Sequence, residues 1–245
     1  MPTATTLRKG QQTRAAIVTA ALEQAARTGL EGLTIGALAE QMHMSKSGVF
    51  AHFGSREDLQ IAVLKAYELR FIEEILRPSL VRPRGLPRLL AIISQWLERT
   101  VVEAALGCIW ISGASEYDDR PGAVRDELVS MVQGWQQEIS RAIGQSIEAG
   151  HLRPDTDVDD VVFGLYGVIL VLHHDARLMR SAQALPRARR AIGTLLRQSV
   201  TRDAPDIDTA LRGAAATPRA PAAQVPQAGA PDPHPQTPTT FHHPT

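Results

Sequence analysis

Apolar residues recur at helical spacing through most of the chain, and we find no convincing strand-like alternation. The first pattern covers about residues 11–28 and places Ile17, Ala20, Ala21 and Ala25 on one face. Gly29 follows, at the position where a left-handed helix cap is expected. The patterning therefore predicts an all-α protein that begins with an amphipathic helix.

Two short helices are predicted next, separated by only a tight turn. Thr34 is a good N-cap for the first of them. Ser45 can cap the second, which covers about residues 46–52. Ser55 to Asp58 then form a capping box that opens a fourth helix. Two short helices joined in this way have the geometry of a helix-turn-helix, whose second helix lies in the major groove.

Long helical patterns fill the second half of the chain, at about residues 87–106, 108–114, 122–149, 158–180 and 186–200. The longest apolar run, Val161 to Leu172, has 12 residues, and a bilayer needs about 20. Because this run is apolar nearly all round a helix, we expect the helix to be buried on several sides.

Composition changes sharply near Thr201. The segment 201–245 holds 9 of the 16 prolines but only one Leu and one Ile, so we predict a disordered tail rich in Pro and Ala. Residues 1–10 are expected to be a flexible N-terminal arm. Between the arm and the tail we predict two domains, a DNA-binding domain at 11–57 and a helical domain at 58–200.

The formal net charge is zero, so no overall basic field indicates a nucleic-acid partner. Charge is nevertheless sorted locally, because residues 1–22 contain Arg8, Lys9 and Arg14 and no acid. The single cysteine, Cys108, excludes an intrachain disulfide and fits a reducing cytoplasm.

The start of the third helix carries small polar residues, Ser45, Lys46, Ser47 and Gly48, which allow close approach to bases and phosphates. Lys46 supplies a charge for a phosphate or a guanine edge. Phe50 and Phe53 are interpreted mainly as core. Val49 is either core or a contact to a thymine methyl, and the sequence leaves both readings open.

The opening region resembles the N-terminal domain of TetR/AcrR transcriptional regulators at Gly29, Thr34, Leu38-Ala39, Met44 to Phe53 and Ser55 to Leu59. The resemblance covers about residues 11–60 at motif level and the rest by pattern and length. It implies an all-α homodimer of about nine helices, with an N-terminal helix-turn-helix domain and a C-terminal ligand-binding and dimerisation domain. It also implies binding to double-stranded DNA at a palindromic operator, commonly released by a small molecule.

Carried over residue by residue, the resemblance places Thr34 and Arg56 at phosphates and His52 at the backbone. Together with the basic N-terminal residues, the predicted DNA-binding set is Thr34, Ser45, Lys46, Ser47, Gly48, Val49, Phe50, His52, Arg56, Arg8, Lys9 and Arg14. The chain departs from the family where Phe50 replaces a frequent tyrosine, His43 a frequent glycine and Ala25 a frequent aromatic. These departures bear on backbone contacts and not on the fold.

The predicted dimer interface lies on the apolar helix, at Phe163, Gly164, Gly167 and Leu170. The simpler reading is the central core helix of a monomer. The predicted ligand site comprises Phe71, Trp96, Cys108, Trp110, Tyr117 and Trp135, which suggests a mainly apolar effector. Aromatic residues at helical spacing are also typical of an ordinary core. No cofactor is expected.

Three rival functions follow from other residues. An enzyme is disfavoured because the adjacent His173, His174 and Asp175 point about 100° apart on a helix. A metal sensor would draw on His151 and Cys108 with the two histidines, but tight metal-ligand spacing is missing. A helical small-molecule or metal-binding module without operator binding is the remaining alternative to a repressor.

Overall fold

The computed structural model describes the backbone of residues 4–213 and the side chains of residues 9–211. Within that part the chain is helical, apart from one isolated bridge between Leu152 and Val200, which confirms the predicted all-α class. The helices are α1 Ala4–Thr28, α2 Ile35–Gln41, α3 Lys46–Phe53, α4 Arg56–Phe71, α5 Arg77–Ser79, α6 Leu86–Leu106, α7 Ile109–Tyr117, α8 Ala123–Glu148, α9 Val158–Arg177, α10 Ala184–Arg197 and α11 Ile207–Gly213. A π-helical turn, Ile72–Leu76, connects α4 to α5.

Hydroxyl caps begin three of the first four helices, as the sequence predicts. The Oγ1 of Thr34 accepts a hydrogen bond from the Ala37 amide at 3.2 Å. The Oγ of Ser45 accepts from the Gly48 amide at 3.0 Å. The Oγ of Ser55 accepts from the Asp58 amide at 2.9 Å. These bonds fix where α2, α3 and α4 begin.

The turn between α2 and α3 requires a left-handed residue, and His43 occupies that position with φ of 53°. The turn closes through a 2.8 Å hydrogen bond from the Met44 amide to the Ala39 carbonyl. Histidine is among the residues that tolerate this conformation better than most. The tight turn therefore forms without the glycine that the family often has there.

The first three helices share one core with the rest of the chain. Ile17, Leu38 and Val49 are fully buried, one from each helix. Helix α4 packs against α1 at its start and against α8 further along, so it runs from the helix-turn-helix into the second domain. Helix α6 lies at the centre of that domain, in contact with α8, α9, α10 and α11.

The ends of the described chain correct two expectations. Helix α1 begins at Ala4, because the single Gly10 does not break it, so the arm predicted for residues 1–10 is helical from Ala4 onward. The predicted tail forms α11, whose Ile207 and Leu211 are buried. Those two are the one Ile and the one Leu of the tail. The rest of the predicted tail, 214–245, lies outside the described residues.

Candidate functional site

The outer face of α3 is open to solvent. Ser45, Lys46 and Ser47 are exposed, and Gly48 is half-buried. Phe50 is 51% exposed, so its interpretation as core is wrong, while its place in the predicted contact surface is sterically available. Val49 is fully buried, which resolves its ambiguity in favour of the core and corrects its place in the DNA-binding set.

Lys46 lies across the first turn of α2. A Cβ added to Gly36 would come 3.3 Å from the Lys46 Cε, so the lysine stem packs on the glycine. The neighbouring Ser45 hydroxyl caps its own helix and lies 3.1 Å from the Ser47 hydroxyl. One positive charge and three hydroxyls, including that of Thr34, therefore lie on the side where α2 and α3 begin.

The basic residues of α1 extend this surface. Lys9 and Arg14 are exposed, and the Arg14 guanidinium lies 4.9 Å from the ring centre of Phe53 at the end of α3. His52 is half-buried beside the same ring. Arg8 lies on the backbone of α1, but its side chain is outside the described side chains. The candidate nucleic-acid interface thus has small polar residues at the start of α3 and the Arg14 cation beside its last residue.

The Arg56 side chain is 42% exposed, and its guanidinium is held by the loop before α2. Its Nε donates to the Leu33 carbonyl at 2.9 Å, and its Nη2 donates to the Glu31 carbonyl. Its guanidinium also lies 3.5 Å from the Glu31 carboxylate. In this structure Arg56 attaches the loop between α1 and α2 to α4. The sequence predicted a phosphate contact for Arg56 and not this attachment.

The same loop meets the end of α7 through three polar side chains, Glu31, Gln60 and Tyr117, which we call the junction cluster. The Tyr117 hydroxyl donates to Glu31 Oε1 at 2.6 Å. Gln60 Nε2 donates to the Tyr117 hydroxyl at 2.9 Å and to the Leu30 carbonyl at 2.7 Å. The Glu31 amide in turn donates to Glu116 Oε2 at 2.8 Å. The helix-turn-helix domain is therefore tied to α7.

The junction cluster shifts two pKa values. The hydrogen bond from Tyr117 lowers the pKa of Glu31, against burial and with help from the Arg56 and Arg120 charges. Burial, and then the Glu31 carboxylate, raise the pKa of Tyr117 to about 12. Glu31 is therefore the charged partner and Tyr117 the neutral donor at neutral pH. Tyr117 was predicted as a ligand contact, but it lies in this cluster and not on the cavity wall.

A cavity of about 390 Å³ lies between α4, α6, α7, α8 and α9. Four of its lining residues are aromatic: Phe71, Trp96, Trp110 and Tyr166. The others are Thr100, Glu103, Cys108, Ile111, Ala114, Ser115, Asp118, Val132, Ile169 and Leu170. Such a size and a mainly apolar wall are typical of small-molecule sites.

Four of the six predicted ligand residues line the cavity: Phe71, Trp96, Cys108 and Trp110. Trp135 does not line the cavity but packs against residues that do. Its ring centre lies 4.8 Å from that of Phe71 and 5.4 Å from that of Trp96. Tyr166 is a lining residue outside the predicted ligand set, because it lies in the apolar run that the sequence assigns to the dimer interface. Its ring centre is 5.0 Å from that of Trp96.

One corner of the cavity is polar. Glu103 Oε1 accepts from the Tyr67 hydroxyl at 2.7 Å and from Arg99 Nε at 2.9 Å. The Tyr67 hydroxyl also lies 3.4 Å from the Cys108 sulfur. Burial, and then the Glu103 charge, raise the pKa of Cys108 to about 12, so this thiol stays protonated at neutral pH and is a poor nucleophile.

The predicted dimer residues on α9 fall into two environments. Phe163 is 83% exposed and Leu170 is 50% exposed, and a Cβ on Gly167 would meet open space. Gly164 instead faces α10 of its own chain, where an added Cβ would lie 2.8 Å from Leu195. The outer stripe of α9 is thus apolar and uncovered, whereas Gly164 permits packing within the protomer.

The histidines proposed for a metal sensor are dispersed. His151 Nδ1 accepts a hydrogen bond from the Leu86 amide at the start of α6. His173 and His174 line a separate open groove at the end of α9. Across the described part of the chain, His, Cys, Asp and Glu side chains form no group of three or more that could hold a metal ion. Nor is any described helix long and apolar enough to cross a bilayer.

Two protein-family descriptions match the chain: "Bacterial regulatory proteins, tetR family" over residues 17–63, and "Tetracyclin repressor-like, C-terminal domain" over residues 85–192. A search of curated proteins found no match. Solved structures are similar in fold. A TetR transcriptional regulator from Chloroflexus aurantiacus is 23% identical, with a TM-score of 0.69, and covers 79% of this chain and 100% of that one.

Two further structures are similar. A TetR-family regulator from Cytophaga hutchinsonii is 20% identical with a TM-score of 0.70, covering 80% of this chain and 98% of that one. A transcriptional regulator from Saccharomonospora viridis, solved in complex with choline, is 19% identical with a TM-score of 0.67. The match covers 78% of this chain and 100% of that one. At these identities the likeness shows the fold alone.

The junction cluster gives a pH-dependent prediction. Glu31→Gln should lower the free energy of unfolding at pH 7 by about 1 kcal/mol, since it removes a charged acceptor. A carboxylate whose folded pKa is lowered stabilises the fold above its unfolded pKa, and that contribution is lost as pH falls through the folded value. The deficit should therefore shrink below about pH 4. Urea unfolding at pH 7 and below about pH 4 measures this deficit in the free energy of unfolding.

Glu73→Gln is the matched control, because Glu73 is an exposed partner of Arg77 on the π-helical turn, away from this contact. The control should change little at either pH. A Glu31→Gln deficit of equal size at both pH values would contradict the role of the Glu31 charge.

Proposed function

The chain belongs to the TetR family of bacterial regulatory proteins, and from this premise we propose that it is a homodimeric repressor that a small, mainly apolar effector releases from a palindromic operator. The family consists of DNA-binding transcriptional regulators with a ligand-binding C-terminal domain, so the chain is a regulator and not an enzyme. Its DNA target places the proposed site of action in the cytoplasm.

The observation that carries the proposal is the double role of α7. Trp110, Ile111 and Ala114 of this helix line the cavity. At its end, Glu116 and Tyr117 hydrogen-bond to Glu31, in the loop that precedes α2. An effector that fits the cavity only after α7 shifts would therefore disturb the loop from which the helix-turn-helix begins.

Release requires that the effector bind more tightly to the conformation that does not bind the operator than to the conformation that does. A coupling of about 1–3 kcal/mol, or roughly 5- to 150-fold in operator affinity, is typical of allosteric proteins. The same factor must apply in reverse, so operator DNA should weaken effector binding equally. The cavity and the outer face of α3 are then two linked sites on one chain.

A dimer supplies the DNA contacts that one protomer lacks. Only the first turn of α3 presents small polar residues to a groove, which limits the base contacts per protomer. Two-fold symmetric proteins read two half-sites about 34–36 Å apart or at multiples of one helical turn. The uncovered apolar stripe of α9, at Phe163, Gly167 and Leu170, is the proposed interface.

The effector's apolar character follows from the cavity wall, where four aromatic rings and several aliphatic side chains surround few polar groups. The Saccharomonospora viridis regulator was solved with choline. Its likeness to this chain is too distant to transfer that ligand.

Selection from a random duplex library with purified full-length protein tests the function. We expect enrichment of an inverted repeat at moderate salt, because a two-fold dimer presents two copies of α3. Enrichment of a single unrepeated half-site would contradict the symmetric dimer. No enrichment by a folded dimer would favour the alternative, a small-molecule sensor that does not bind an operator.

Lys46→Ala should weaken binding to the selected operator. If Lys46 contacts a phosphate, the loss should be similar across sequences, and the slope of log affinity against log salt should fall by about 1. Fluorescence anisotropy over a salt series measures both. Lys65→Ala is the control, since Lys65 is an exposed residue of α4 that pairs with Glu127 of α8. Equal behaviour of the two variants would remove Lys46 from the interface.

Phe163→Asp should convert the dimer to monomers at micromolar concentration, because it places a charge in the proposed apolar interface. Sedimentation velocity gives the oligomeric state. Val81→Asp is a matched control, since Val81 has the same 83% exposure but lies between α5 and α6. A Phe163→Asp protein that stays dimeric would place the interface elsewhere.

A further inference from the structure

We propose that the occupant of the cavity is an organic cation, with a protonated amine or quaternary ammonium on an apolar body, held between the Glu103 carboxylate and the aromatic rings. The proposal rests on the proposed function only where it calls this molecule the effector.

The charge of the wall has one sign. Glu103 and Asp118 are the two charged side chains among the residues that line the cavity, and both are acidic. Glu103 is only 9% exposed, whereas Asp118 lies at the open end. An anion placed here would lose its hydration and meet like charge, while a cation would meet an opposite charge in a desolvated setting.

Glu103 retains binding capacity for such a cation. The hydrogen bonds from Tyr67 and Arg99 all reach its Oε1, and the Cys108 thiol is a further hydrogen-bond partner of this carboxylate, so a ligand would approach Oε2 beside the thiol. Arg99 also pairs with Glu74, and Glu74 pairs with Arg70, so these four side chains together carry no net formal charge. Neither arginine lines the cavity, so the carboxylate of Glu103 is the charged member of this group that a ligand would meet.

The aromatic rings supply the second half of the site. Trp96 and Tyr166 meet at 73° with centres 5.0 Å apart, so they form two walls of a corner. Cations bind over such ring faces, and quaternary ammonium ligands are recognised by aromatic cages. The Arg99 guanidinium already lies 5.3 Å from the ring centre of Phe71. One aromatic residue of the cavity wall, Phe71, thus already packs against a buried cation, the guanidinium of Arg99.

Trp110 adds a directional requirement. It is 8% exposed, and its Nε1 has no hydrogen-bond partner among the described residues. A buried donor without a partner is unfavourable. Trp110 lines the cavity, but its Nε1 is itself closed to solvent, so an ether, hydroxyl or carbonyl oxygen on the cation would reach it only after the indole moves.

An adjoining groove has the opposite character and provides the rival reading. It shares Ile111 and Leu170 with the cavity, but its charged residues are Arg177 and Arg180, beside His173 and His174. The groove is wide and open, with a volume of about 1060 Å³. A carboxylate ligand would favour the groove, so the charge preference of the bound molecule distinguishes the two.

Three probes of similar shape and different charge provide the test: benzyltrimethylammonium, its neutral isostere neopentylbenzene, and the anion phenylacetate. Binding to the full-length protein without DNA is followed by tryptophan fluorescence and calorimetry. We expect the cation to bind about tenfold more tightly than the neutral isostere, and the anion most weakly. Equal or tighter binding of either other probe, or no binding of the cation at millimolar concentration, would overturn the proposal.

Glu103→Gln assigns the preference to its residue. The cation should lose about tenfold in affinity while the neutral isostere is unchanged. Glu138→Gln, on α8 and paired with Arg141, is the control and should alter neither. Because Glu103 also anchors Tyr67 and Arg99, circular dichroism must confirm folding. If Glu103→Gln does not fold, Tyr166→Leu tests the site in its place. Losing this ring should reduce the difference in affinity between the cation and its neutral isostere. An undiminished difference would contradict the site.

Adding the cation to the selected operator complex separates this proposal from the proposed function. Binding without release would leave the ligand class intact and contradict effector-driven release. Release by phenylacetate but not by the cation would support release and overturn the ligand class.

Discussion

The hydrogen bond from the Tyr117 hydroxyl to the Glu31 carboxylate is the contact on which the relation between the two domains depends. Around it, Gln60 is 4% exposed and must find partners inside the protein, which it does at Leu30 and Tyr117. Breaking one such buried pair costs about 1–3 kcal/mol. The junction therefore favours a few discrete arrangements over continuous sliding, and discrete arrangements are what a switch requires.

Two glycines bring α7 close enough for this contact. Gly107, just before α7, has φ of +118°, and an added Cβ would lie 1.9 Å from the Ala26 carbonyl. Gly29, opposite the end of α7, has φ of +77°, and an added Cβ would lie 2.0 Å from Glu116 Oε1. The last part of α1 and the loop after it are thus in contact with both ends of α7. A displacement of α7 cannot leave the base of the helix-turn-helix untouched.

Local signals in the sequence predicted much of this structure, and long-range contacts account for what they missed. The caps at Thr34, Ser45 and Ser55 depend on residues three apart, so spacing alone revealed them. The attachment of Arg56 to the loop before α2 depends on carbonyls 23 and 25 residues away, which no local pattern encodes. Tyr117 shows the same limit, because an aromatic residue near a predicted pocket gave no sign of its partner 86 residues away.

The terminal segment shows a different limit. Its average composition predicted disorder, and that average concealed two apolar residues spaced four apart, Ile207 and Leu211. On one face of a short helix they cover α6. Proline content describes a segment as a whole, whereas folding depends on whether a few side chains find a complementary surface.

Helix α9 joins the ligand site to the proposed dimer contact. Tyr166 and Ile169 face the cavity, whereas Phe163 and Val171 face outward. Leu170 lines the cavity and is also half exposed on the outer face. A partner that packs on this face would hold α9 in place, so the cavity would have one fixed wall. A ligand that needs more room must then displace the wall formed by α7. Dimerisation would in this way direct the effect of binding toward the DNA-binding domain.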